Sequence, residues 1–209
     1  MRQIRLTGEG HQWVRAYTDR RFVSSIKLGI LASVFVPLLL GSPFCSSSQA
    51  RTVESVYSEL VGKGCKSLKQ DTETGAGVEE CVGIGGFNLL VLNDDSRSSI
   101  TVVTPEKKEF PLDYWDVVTH AFSSLGTKAE WRVARRGSKT TPLALIVRVD
   151  YMDQSNVAAP KKKSVLAVAK ITPERICVTE NVKSGADANA RARAAADSSA
   201  TRGCLATLP

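Results

Sequence analysis

Cysteine is the residue type with the clearest chemistry in this chain. Five are present: Cys45, Cys65, Cys81, Cys177 and Cys204. If Cys45 is removed with an N-terminal leader, four remain, and an even set in an exported domain points to disulfide bonds. Four cysteines allow three pairings. The sequence neighbours Cys65–Cys81 and Cys177–Cys204 are expected, because each pair flanks one local unit. Zinc is the competing use, but no C-x-x-C spacing occurs and His120 is the one histidine beyond residue 50, so no metal site is expected.

Other chemistry-bearing residues are sparse. Gly83-Ile84-Gly85-Gly86 lacks the third glycine of a dinucleotide fingerprint and precedes a strand-like run rather than a helix, so a tight turn or bulge is expected. Nucleophilic catalysis needs a Ser or Cys with a base, and His120 stands alone within an apolar pattern. Glu79-Glu80 and Asp94-Asp95 are adjacent pairs; neighbours on a strand face opposite ways, so these read as solvated charge. No catalytic residue and no cofactor is assigned.

Two basic clusters remain, Arg132, Arg135, Arg136 and Lys139 in one and Lys161, Lys162 and Lys163 in the other. Both border expected strand ends, and convergence on one sheet edge would create an anion-binding surface for phosphate, a lipid headgroup or an anionic glycan. Solvated loop charge and protection of a sheet edge by lysine are the plainer use of the same residues. Nucleic acid is disfavoured once the charge is located. The net charge is +7, but six of the 28 Lys and Arg (Arg2, Arg5, Arg15, Arg20, Arg21 and Lys27) lie in residues 1–50 against Glu9 and Asp19. The rest holds 22 basic and 19 acidic residues, a net +3.

Those first fifty residues read as a leader. A basic stretch ends at Lys27, an apolar run covers Leu28 to Leu40, and a small-residue stretch closes at Ser48-Gln49-Ala50. That order is the signal-peptide pattern, with cleavage expected between Ala50 and Arg51. The apolar run is shorter than the ~18 residues that span a bilayer; a retained N-terminal membrane anchor is the alternative. Phe44 before Cys45 argues against a lipoprotein, and Arg20-Arg21 leaves twin-arginine export open beside the general route. The long basic region also leaves room for a translation start downstream of Met1.

Residues 51–209 suit a single disulfide-stapled α+β domain. Val53, Val56, Tyr57 and Leu60 fall at helical spacing, and a first helix is expected over Thr52–Leu60. Val78–Val82 reads as a strand. Phe87–Leu92 and Ser99–Thr104 read as a hairpin around Asn93–Arg97. Leu112, Trp115, Val118, Phe122 and Leu125 predict a second helix between Pro111 and Gly126. Strands are expected at Ala129–Val133, Leu143–Tyr151, Val165–Ile171 and Ile176–Val178. The Ala/Arg run Asp187–Asp197 predicts a C-terminal helix, with Asp187/Arg191 and Arg193/Asp197 as i,i+4 pairs. The expected architecture is an antiparallel meander sheet with packed helices.

Several pieces in this order resemble a group of small exported alphaproteobacterial proteins of uncharacterised function. They are Cys81-Val82-Gly83-Ile84-Gly85-Gly86-Phe87, Glu130-Trp131-Arg132, the Leu143–Val149 strand, and Cys177 followed by the Ala/Arg helix and Cys204. The resemblance covers residues 55–204 and implies an exported domain with two cysteine pairs; it supplies no catalytic residue. Glu180–Val182 is less apolar than the group's last strand. The expected function is a non-catalytic periplasmic or secreted binding or interaction domain, its partner an anionic envelope component or another exported protein. An envelope-associated hydrolase-like enzyme is the alternative, and membrane contact follows only if the leader stays.

Overall fold

Ala129, Trp131 and Val133 alternate with Glu130 and Arg132, and alternation at period two is what a strand needs to bury one face. The computed structural model describes residues 52–208. The expected leader, its expected cleavage site between Ala50 and Arg51, and Cys45 lie outside the described residues. Ten strands follow in chain order: β1 (Thr52–Glu59), β2 (Cys65–Gln70), β3 (Gly77–Val82), β4 (Asn88–Asp94), β5 (Arg97–Val103), β6 (Glu109–Pro111), β7 (Ser123–Arg136), β8 (Lys139–Asp153), β9 (Lys161–Ile171) and β10 (Ile176–Lys183). Two α-helices join them, α1 (Tyr114–Val117) and α2 (Ala188–Asp197).

The strands form two five-stranded sheets, ordered β1-β7-β8-β9-β10 and β2-β3-β4-β5-β6. Every pairing is antiparallel. The fold is therefore mostly β, with two sheets rather than the single meander of an α+β domain. One apolar core joins them: Cys81, Leu89, Val91, Ile100 and Val102 from one sheet meet Trp131, Val133, Leu145, Val147, Val149, Ala167, Ala169 and Val178 from the other. The opposite face of the larger sheet carries Ala144, Ile146, Leu166, Val168 and Val182, which pack against Ala188, Ala192, Ala195 and Ala196 of α2. Alanine methyls let the helix lie close to the sheet. β8 and β9 are thus buried on both faces, which explains why they read as near-continuous apolar runs.

Two expected helices are absent. Thr52–Glu59 is β1, paired residue for residue with β7 from Thr52↔Arg135 to Glu59↔Lys128. Its apolar spacing mimicked a helix, but β-branched Thr52, Val53 and Val56 suit an extended chain, and β7 supplies eight ladder partners that a lone helix would lack. Over Pro111–Gly126 the helix shrinks to the single turn of α1: Pro111 ends β6 and Ser123 already begins β7. Of the expected stripe, Leu112 is buried while Phe122 is half exposed, so the stripe faces no single surface. The last strand also runs past Val178 to Lys183, across a bulge between Val178 and Glu180.

Both disulfides form as paired above. Cys65 and Cys81 lie directly opposite on β2 and β3, closing a 16-residue separation. Cys177–Cys204 closes one of 27 residues and ties the chain after α2 to β10. Loop-closure entropy makes these bonds worth about 3 and about 3.5 kcal/mol respectively. Two such bonds fit an oxidising, exported environment. Among the described residues no helix is long and apolar enough to cross a membrane.

Candidate functional site

The start of β7 is where the two sheets meet, and an open groove forms there. The β4–β5 hairpin turns at Asp95 and Ser96, both with positive φ (46° and 58°), as a tight two-residue turn requires. The Ser96 carbonyl accepts from the Ser123 N–H at 3.0 Å, and the Ser98 N–H donates to the Ser123 hydroxyl at 3.4 Å. These bonds dock the tip of one sheet against the first residues of β7. The Phe122 carbonyl in turn accepts from the Met152 N–H at 3.1 Å, which continues the β7–β8 ladder one step further.

The groove has a volume of about 230 Å³ and is lined by Ser96, Phe122, Ser123, Ser124, Asp150, Tyr151, Met152 and Lys162. Phe122 is 49% exposed and supplies an aromatic wall. Lys162 stands opposite Met152 in the β8–β9 ladder, with its ammonium 3.5 Å from the Asp150 carboxylate. That separation is long and the Lys162 side chain is 70% exposed, so the pair is loose and the cation is available to a ligand. Apolar wall, hydroxyls and one accessible cation together suit a ligand with an apolar body and an anionic head.

The expected anion-binding edge does not assemble. Arg136 and Lys139 face each other across the β7–β8 turn, whereas Lys161 pairs with Asp153 at the far end of β8. Along β8, Ala144 opposite Arg132 and Tyr151 opposite Lys163 are roughly 23 Å apart, and the strand's two ends roughly 45 Å, at ~3.3 Å per residue. Three of these seven cations are also firmly engaged, Arg132 with Asp197. Arg135 binds Glu54, and Lys163 binds Asp153. The Lys163 contact, with the Ser155 N–H, pulls the Asp153 pKa down to about 2. Only Lys162 joins the groove.

Arg132 is buried, and its guanidinium grips Asp197 of α2 with two bonds of 2.7 and 2.9 Å. A third bond of 2.6 Å reaches the Ser55 hydroxyl, which donates to Glu130 at 2.5 Å. Glu130 receives Arg193 of α2 at 2.6 Å. The chain Asp197–Arg132–Ser55–Glu130–Arg193 therefore clamps α2 across β7 and β1. Burial opposes ionisation of Glu130, but the bonds from Arg193 and Ser55 outweigh it and hold its pKa below the usual carboxylate range. Arg193 and Asp197 thus do not pair with each other as their spacing suggested; Asp187 and Arg191 do, at 3.1 Å. A signal for the clamp was present. Two strand residues at i,i+2 lie ~6.7 Å apart and two helix residues at i,i+4 lie ~6 Å apart, so Glu130/Arg132 and Arg193/Asp197 match in both span and charge.

The remaining candidates fall outside the groove. His120 is exposed on the connection between α1 and β7. Glu80 accepts from the Asn88 amide at 2.8 Å, and Asp95 pairs with Arg97 at 2.8 Å. The glycine run packs as a tight turn: the Gly83 N–H donates to the Phe87 carbonyl at 3.0 Å, and a Cβ on Gly83 would sit 2.8 Å from the Trp131 ring. No group of three or more His, Cys, Asp or Glu residues placed to hold a metal ion occurs among the described residues. Compared with protein-family models, curated proteins and solved structures, the chain shows no match.

Proposed function

We propose that this chain is a non-catalytic exported binding domain that takes an amphipathic anion in the groove at the start of β7. The observation that carries the proposal is the juxtaposition of Phe122, Tyr151 and Met152 with the loosely paired Lys162 in one open cleft. The apolar residues would hold the ligand body by excluding water, and the ammonium would orient the head group. Export is supported by the two disulfides, which persist in oxidising compartments. Removal of the leader after Ala50 belongs to the same proposal, as does the kinship with small exported alphaproteobacterial proteins.

Fluorescence titration with anilinonaphthalene sulfonate, an apolar anion, tests the site. Phe122 and Lys162 are exposed, so Phe122→Ser and Lys162→Glu leave the core intact. Each is expected to weaken binding about tenfold, the usual scale for losing one good contact. Binding that ignores both substitutions would refute the groove. Equal binding of an uncharged analogue would refute the need for an anion.

A further inference from the structure

A sheet with open edges invites pairing with another chain, and proteins block such edges in a few recognisable ways. Three of the four edges here are blocked. β2 exposes Lys66 and Lys69 and breaks register between Ser67 and Lys69. β6 has only three residues and includes Pro111. β10 is covered: the Leu205 N–H donates to the Val178 carbonyl at 2.8 Å, and Cys204 is bonded to Cys177.

β1 has none of these devices. Its eight residues form an unbroken ladder with β7 and include no lysine, arginine or proline. Among the described residues it takes strand pairing only from β7. Its two acids are already matched, Glu54 by Arg135 and Glu59 by Lys128, so the edge carries little unbalanced charge. Val53 and Tyr57 are 38% and 50% exposed, and residues 53, 55 and 57 share one face.

We propose that β1 pairs antiparallel with β1 of a second copy, joining two larger sheets into one of ten strands. One two-fold register fits the sequence. Ser55 lies on the axis opposite Ser55 of the second copy, and Val53 lies opposite Tyr57 in both directions. Glu54 then meets Val56 and Thr52 meets Ser58, so no like charges oppose each other. Each exposed apolar side chain gains an aromatic–β-branched cross-strand partner, a favoured pair. The two-fold makes the contact isologous, so assembly stops at two. A contact confined to one eight-residue strand edge from each copy is expected to fall below the ~1,600 Å² of a standard interface, with dissociation in the micromolar range.

Sedimentation velocity of the full chain, followed from about 1 to about 200 μM, a range bracketing that affinity, should show monomer converting to dimer. Val53→Lys with Tyr57→Lys places like charges opposite each other across the axis, and so does Val53→Glu with Tyr57→Glu. Each double variant should remain monomeric throughout. Mixing the two should restore a dimer containing one of each, which also shows that both are folded. A wild-type chain that stays monomeric overturns the proposal, as does a dimer that survives the lysine pair. Species larger than two overturn the closed two-fold, and a different protein recovered on β1 overturns the second copy as its occupant.

Discussion

Removing the Glu130 carboxylate measures how firmly α2 is held. The side chain is 12% exposed, and its main partner Arg193 is 40% exposed. A charge-assisted bond between well-buried groups contributes ~1.5–3 kcal/mol, and an exposed ion pair ~0.2–1 kcal/mol. With one partner buried and the other more than a third exposed, solvent screening places the Glu130–Arg193 coupling near 1.5 kcal/mol. Glu130→Gln, Arg193→Gln and the double variant form the cycle that isolates this coupling from the bond to Ser55. Urea unfolding at neutral pH supplies the stabilities. The pH dependence follows from the depressed Glu130 pKa. The coupling is fully present above the unfolded carboxylate value of ~4.3 and fades as pH falls through the lower folded value. Substitutions that add within ~0.5 kcal/mol at neutral pH would refute the clamp. So would a coupling that persists in strong acid, where Glu130 is neutral.

Two further outcomes follow from packing and covalent closure. Cys177→Ser with Cys204→Ser should lower stability by about 3.5 kcal/mol and the melting temperature by about 10 °C; a shift under ~3 °C in a thermal scan would contradict this. Gly83→Ala should cost at least ~2 kcal/mol, because its Cβ would lie 2.6 Å from the Phe87 oxygen and 2.8 Å from a fully buried Trp131. Chemical denaturation checks it, and a near-neutral effect would mean that Trp131 yields despite its 2.9 Å bond to Ser58.

The parts legible in the sequence were those governed by local rules. The β4–β5 hairpin was visible because turn-forming residues separate two β-rich runs. The cysteine pairs were visible because each clips neighbouring elements. The apolar residues of β1 and of the segment after Pro111 recur at helical intervals, while β1 is decided by its ladder with β7 and the end of that segment by its ladder with β8, partners remote in sequence. The division into two sheets was hidden for a related reason: alternation reveals that a strand has a buried face, not which sheet it faces. The groove could not be read at all. Sequence spacing puts Phe122 in a helix and Lys162 on a charged edge, and only the β7–β8–β9 register brings them together.

The segment that covers β10 imposes an order of events on the molecule. Leu205 caps the strand at Val178, and the Leu208 N–H reaches the Asp116 carbonyl at 2.7 Å, so residues made after α2 close a seam between elements made long before. A chain emerging amino end first presents β10 bare until those residues arrive. The Cys177–Cys204 bond can then lock the finished seam, whereas Cys65 and Cys81 can join as soon as β3 has formed. Oxidation thus has an early step and a late one, and the late step records that the whole sandwich has been delivered.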